Sequence, residues 1–98
     1  GGTGEVGYWL TPRGRGRGIG TAMVDAATTY ALDTIGLFRI ELFHAVENEA
    51  SCRMALRCGY VLEGTTRQSY RYGDGLRHDE HLHAILATDP RPEVRPPA

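Results

Sequence analysis

The chain has 98 residues, 11 of them Lys or Arg and 12 Asp or Glu, for a formal net charge of -1. That length supports one shallow core and argues against a second domain. The charge balance gives no field to draw nucleic acid or an anionic membrane, no apolar run approaches the roughly 18 residues of a membrane span, and no signal-peptide pattern is read.

In chain order, Gly1 to Gly4 is too glycine-rich to be expected to hold a shape. Glu5-Val6-Gly7-Tyr8-Trp9-Leu10 alternates as a strand does, with Val6, Tyr8 and Leu10 on one face, until Thr11-Pro12 ends it. A glycine- and arginine-rich turn follows, and then a helix over residues 21–32. Ile19, Met23, Ala26, Ala27, Tyr30 and Ala31 recur there at helical spacing, with Ala22, Ala26 and Ala27 suited to close approach to a sheet. Gly36 is its stop. Phe38 to Phe43 reads as the second strand, and Glu47 or Asn48 opens a second helix with Met54, Ala55 and Cys58 as its apolar positions and Gly59 as its left-handed end. A third strand runs from Tyr60 to about Tyr72, Gly73-Asp74-Gly75 is a hairpin turn, and His78 to Ala87 returns.

The expected fold class is therefore α/β with a mixed sheet, in the order strand, helix, strand, helix, strand, strand. Its first half is a parallel crossover and its last pair is antiparallel. Residues 1–87 form the expected domain, and the Pro/Arg-rich residues 88–98 an expected disordered tail. Cys52 and Cys58 lie about 240° apart around the second helix, so two free thiols and a reducing compartment are expected.

The run Arg15-Gly16-Arg17-Gly18-Ile19-Gly20-Thr21 carries most of the chemistry. A helix opening near Gly18 leaves its first N–H groups unpaired at the positive end of its dipole. Glycines remove the Cβ atoms that would block a phosphate, Arg15 and Arg17 add charge-assisted bonds, and the Thr21 hydroxyl is a further donor. The turn is not a Walker loop, because no Lys-Ser/Thr follows. It is not a dinucleotide fingerprint either, since the position that would bond a ribose, at the end of the next strand, is His44.

With Arg15, Gly18 and Gly20 in the pattern Gln/Arg-x-x-Gly-x-Gly/Ala, this turn resembles the acyl-coenzyme-A motif of the GNAT N-acetyltransferases. The flanks are similar to the branch that acetylates ribosomal-protein N-termini. They comprise Gly7 to Leu10 before the loop, Asn48 and Ser51 at the second helix, Gly59-Tyr60 at its end, and Glu63-Gly64 beyond. The resemblance covers residues 5–87. It implies transfer of an acetyl group from acetyl-CoA, without metal, to a primary amine by direct attack in a ternary complex, in a cytoplasmic protein. The strands at 5–10 and 38–44 are implied to begin as neighbours and splay around the pantetheine arm.

In that family the domain begins with further strands and helices before the motif, so the chain reads as the C-terminal part of an acetyltransferase domain. A second copy in a homodimer is one way to cover the first strand's edge. The competing readings are a non-catalytic coenzyme, phosphoanion or peptide-binding module, and a structural half-domain completed by a partner.

The resemblance puts the coenzyme at Arg15, Gly16, Arg17, Gly18, Ile19, Gly20, Thr21 and Asn48, and makes Ser51 the residue that protonates the departing thiolate. Asn48 is equally suited to capping its helix. Glu5 is a candidate relay for the amine proton. Tyr60, Tyr8, Trp9 and Phe43 are read as packing residues. His78, His81 and His83 suggest a metal cluster by type, but only His81 and His83 share a strand face, so they are read as ordinary strand residues. Tyr70, Arg71, Tyr72 and Arg77 flank the hairpin, where the resembled fold recognises its acceptor.

Overall fold

The structure is a computed structural model and describes residues 2–5 and 18–92. The order is β1 (Thr3–Glu5), α1 (Gly18–Thr29), β2 (Arg39–Ala45), α2 (Glu49–Arg57), β3 (Val61–Arg71) and β4 (Arg77–Leu86). That is the strand-helix-strand-helix-strand-strand succession and the mixed sheet expected from the sequence. The spatial order is β1-β2-β4-β3. β1 runs parallel to β2, with Thr3 opposite Arg39 and Glu5 opposite Glu41. β4 is antiparallel to both its neighbours, β2 and β3. The last strand of the chain is therefore a central one, inserted between β2 and β3.

Residues 2–4 of the glycine-rich opening do hold a shape. Gly2 accepts backbone bonds from Phe38 at 2.9 Å and Arg39 at 3.2 Å, and Gly4 pairs with Ile40. A Cβ on Gly4 would lie 2.7 Å from Leu37 Cδ1, so a larger residue there would have to turn the Leu37 side chain aside. Beyond Glu5 the expected strand, Val6 to Leu10, lies outside the described residues.

One face of the sheet carries the core. Val24, Ile40, Leu42, Met54, Ala55, Cys58, Tyr60 and Ile85 are buried together, with Ala31 and Leu32 packed against them. On α2 the expected apolar positions are the buried ones. On the first helix and its continuation the outcome is mixed: Ala31 packs against the core, but Met23 and Tyr30 are more than half exposed, and Ala22 and Ala26 also face out, while Thr21, Val24 and Thr28 turn inward. Threonine can occupy that stripe because its hydroxyl is satisfied. Thr28 Oγ1 donates to the Val24 carbonyl at 2.7 Å and shares a 2.6 Å bond with Tyr60 Oη. Tyr60 is thus a core residue, as expected, held at both its ring and its hydroxyl.

After Thr29 the helix widens into a π-helical segment, Tyr30–Ile35, ended by Gly36 at φ 82°. Gly59, at φ 91°, ends α2. A Cβ there would meet Pro92 Cδ at 2.7 Å. The segment after β4, expected to begin a disordered tail, is held over its first residues. Leu86 N–H donates to Asp89 Oδ2 at 2.9 Å, and Arg91 bonds Asp25 at 3.2 Å and Thr29 Oγ1 at 2.8 Å on α1. The remaining tail, 93–98, lies outside the described residues.

Candidate functional site

α1 opens at Gly18, at the second glycine of the turn, and its first turn holds no acidic side chain. Gly18, Ile19, Gly20 and Thr21 therefore belong to the helix start, where N–H groups lack intrahelical partners. Thr21 is buried, and its carbonyl accepts the Cys58 thiol at 3.6 Å, which ties this end of α1 to α2. Arg15, Gly16 and Arg17 lie outside the described residues.

The opening of α2 lies just past the C-terminal end of β2. Asn48 is its N-cap, with Oδ1 accepting the Ser51 N–H at 3.1 Å. Ser51 is 1% exposed, and its Oγ finds no hydrogen-bond partner among the described residues. Such a group costs free energy unless something else engages it. Glu5 is exposed and is the last described residue of β1 rather than its first, opposite Glu41.

The hairpin is built on a carboxylate. Glu80, almost fully buried, accepts from Tyr72 Oη at 2.5 Å and Ser69 Oγ at 2.8 Å. Burial and this carboxylate together push the Tyr72 hydroxyl pKa up, so it stays a donor. Tyr70 remains exposed and packs edge-on against Tyr72. Across the sheet, Arg39 forks onto Glu63 at 2.6 and 3.0 Å and bonds Glu41 at 3.1 Å.

His78 bridges the hairpin to the β2–α2 loop, with Nε2 at 2.7 Å from Asp74 and Nδ1 at 3.0 Å from Glu47. Asp74 first and Glu47 second raise its pKa, while both carboxylates are lowered, each by a backbone bond and then by the imidazole. A raised folded-state pKa stabilises fully below the unfolded value near 6.5, and that contribution is lost as pH rises through the folded value. The depressed carboxylates act from the other side, losing their contribution as pH falls. We expect the stability difference between the unaltered protein and His78→Gln to be largest in mildly acidic solution and to shrink towards pH 8. Thermal midpoints measured across that range check it, and a difference that grows with pH would contradict it.

The fold also gathers residues that lie far apart in the chain. His44, on β2, pairs in register with His81 on β4, and His83 lies opposite Leu42. The rings of His44 and His83 stack with centroids 5.0 Å apart, and His81 meets His44 edge-on at 5.3 Å. From α2, Cys52 brings Sγ to 3.6 Å from His83 Nε2. Burial lowers the pKa of His44, and burial plus the neighbouring imidazoles lower that of His83 to about 4, so both are neutral at pH 7. One donor atom each from His44, Cys52 and His81 lies within 4.8 Å of the others. This is not the set of histidines that strand spacing brought to notice: His78 is engaged elsewhere, and His44 and Cys52 join through pairing and packing that the sequence does not display.

The profile of the acetyltransferase (GNAT) domain family matches residues 1–61. A parallel β1–β2 pair, a helix opening on the Gly18-x-Gly20 turn, and an Asn-capped second helix are the local features that fall within that match. The chain belongs to the GNAT acetyltransferase family. It is 35% identical over 82 residues to the putative ribosomal N-acetyltransferase YdaF of Bacillus subtilis, covering 84% of this chain and 44% of that protein. It is 33% identical over 84 residues to the ribosomal-protein-serine acetyltransferase of Escherichia coli, covering 86% and 46%. Among solved structures it superposes on a probable acetyltransferase with a TM-score of 0.70 at 34% identity, covering 84% of this chain and 46% of that one. The dodecameric spermidine N-acetyltransferase of Vibrio cholerae gives a TM-score of 0.68 at 27% identity, with 80% and 45% covered. The chain spans about half the length of the curated relatives it matches. No helix among the described residues is long and apolar enough to cross a membrane.

Proposed function

We propose that this chain is the coenzyme-binding half of an acetyl-CoA-dependent N-acetyltransferase of the ribosomal-protein N-terminal branch, with a primary amine as acceptor, working in the cytoplasm. The observation that carries the reading is the start of α1 at Gly18, beside β1 and β2 in parallel, with no acidic side chain in its first turn. Side-chain-free backbone and unpaired N–H groups at a helix start suit a diphosphate, and Arg15 and Arg17 supply the countercharge. The similarity to the Escherichia coli and Bacillus subtilis proteins supports the ribosomal branch. The spermidine enzyme keeps a small polyamine in view as the acceptor, and its dodecameric assembly is the precedent for a homo-oligomer that covers the β1 edge.

Bound coenzyme supplies an activated acetyl thioester. The chain's residues hold it beside the amine, receive the amine's proton and return one to the sulfur as the C–S bond breaks. Ser51 Oγ–H takes the last role, held at the opening of α2 by the Asn48 cap and free of any competing bond among the described residues. Glu5 relays the amine proton through water. Tyr70 and Arg71 border the acceptor.

Coenzyme A titrated calorimetrically into the full-length protein tests the binding step, and a panel of peptide and polyamine acceptors tests transfer. Coenzyme binding without transfer to any amine would favour the non-catalytic module. Ser51→Ala separates catalysis from stability: turnover is expected to fall about 100-fold or more, the range of a lost general acid, with the KM for acetyl-CoA unchanged. The thermal midpoint should hold or rise, because an unpaired buried hydroxyl is removed. Unchanged turnover would remove Ser51 from the mechanism.

A further inference from the structure

The sheet face beneath α2 carries three of the chain's four histidines, and α2 sets Cys52 against them; the proposed acyl transfer assigns a role to none of the four. We propose that His44, Cys52 and His81 form a binding site for a zinc-class divalent transition-metal ion, set between β2, β4 and the first turn of α2.

The donors are prepared for it. His44 Nδ1–H donates to the Ala45 carbonyl oxygen at 2.8 Å, which fixes the tautomer and leaves Nε2 with its lone pair. That Nε2 is buried on a residue only 2% exposed and finds no partner among the described residues. His81 Nδ1 is likewise buried and without a partner. An imidazole anchored through one nitrogen to a carbonyl, with the other free, is the arrangement of a metal-bound histidine. Two neutral imidazoles and a thiolate are the donor set that zinc-class ions prefer to magnesium or calcium.

The spacing fits with small movements. Zinc–nitrogen and zinc–sulfur distances of about 2.0–2.1 and 2.3 Å put tetrahedral donors roughly 3.4–3.6 Å apart. The 4.8 Å outer separation here closes to that by side-chain rotation of about 1 Å. His83 is the positioning residue. In its Nε2–H tautomer it points a donor at the Cys52 sulfur from 3.6 Å and holds that side chain in place. Cys52 and His81 are only partly buried, so an ion can enter from solvent and keep water in its fourth position. On binding, Cys52 releases its proton to solvent and the ion takes the sulfur lone pair.

The test uses Co2+ and Zn2+ alone on the reduced protein, without coenzyme or acceptor, so its outcome is separate from that of acetyl transfer. Co2+ is expected to bind at one equivalent, with tetrahedral visible bands and a near-ultraviolet sulfur-to-cobalt band, both bleached by one equivalent of Zn2+. Cys52→Ser should abolish the sulfur band, and His44→Gln and His81→Gln should each weaken Zn2+ binding by more than about tenfold. His78→Gln, which removes the surface imidazole between Asp74 and Glu47, should leave the spectrum unchanged. In the unaltered protein, where no variant can misfold, Zn2+ should protect Cys52 from iodoacetamide, as read by peptide mapping. Absence of the sulfur band, its persistence in Cys52→Ser, its loss in His78→Gln, or unprotected Cys52 would overturn the site.

Discussion

Gly18→Val is expected to raise the dissociation constant for coenzyme A by about 100-fold or more while leaving the fold in place. Gly18 is the first residue of α1, so a branched side chain there stands where a diphosphate must approach the helix-start N–H groups. Displacing the diphosphate forfeits charge-assisted bonds of about 1.5–3 kcal/mol each. Losing two of them amounts to two decades or more of affinity. Ala26→Val is the matched control. It adds the same branched side chain on the exposed side of α1, away from the opening, at a modest cost in helix propensity, and should bind coenzyme as the unaltered protein does. Calorimetry on the pair decides the matter. An unchanged dissociation constant for Gly18→Val would remove the turn from the coenzyme site, whatever the family's habits.

The second large effect is on stability. Leu42 is fully buried on β2, between Ile40 and His44 along the strand and opposite His83 on β4. Leu42→Ala removes core methyl groups from a site closed by sheet on one side and helices on the other. The expected cost is about 3–4 kcal/mol, which for a chain of this length lowers the thermal midpoint by roughly 12 °C or more. Leu56, 53% exposed on α2, is the comparison, and Leu56→Ala should cost well under half as much. Chemical denaturation of both variants measures the difference. A loss below about 1 kcal/mol at Leu42 would mean that the two helices do not close over this face.

Local signals in the sequence were reliable where one element speaks for itself. Gly36 and Gly59 end their helices in the left-handed region, Gly73-Asp74-Gly75 turns the hairpin, and Met54, Ala55 and Cys58 face the core. Misreadings arose where burial depends on a distant partner. The apolar residues Met23 and Tyr30 were assigned inward and are exposed, whereas Thr28 is buried because Tyr60, 32 residues later, satisfies its hydroxyl. The segment Gly1 to Gly4 looked formless, yet its described residues, 2–4, are held by backbone pairing with residues 38–40, far along the chain. The histidine and cysteine cluster was invisible for a topological reason. Periodicity along β4 brings His81 and His83 to one face, but only the insertion of β4 beside β2 adds His44, and only the packing of α2 adds Cys52. The glycine- and arginine-rich turn drew notice at once because its residues are neighbours in the chain.

The central position of β4 also dictates how the molecule is assembled. A chain growing from its N-terminus completes β2, α2 and β3 before the strand that must lie between β2 and β3 exists. Sheet closure therefore awaits residues 77–86. Until then two half-finished edges stand open, and pairings such as Arg39 with Leu86 impose long loop closures that slow the search. Nascent chains lacking that final segment are the species most exposed to edge-to-edge aggregation.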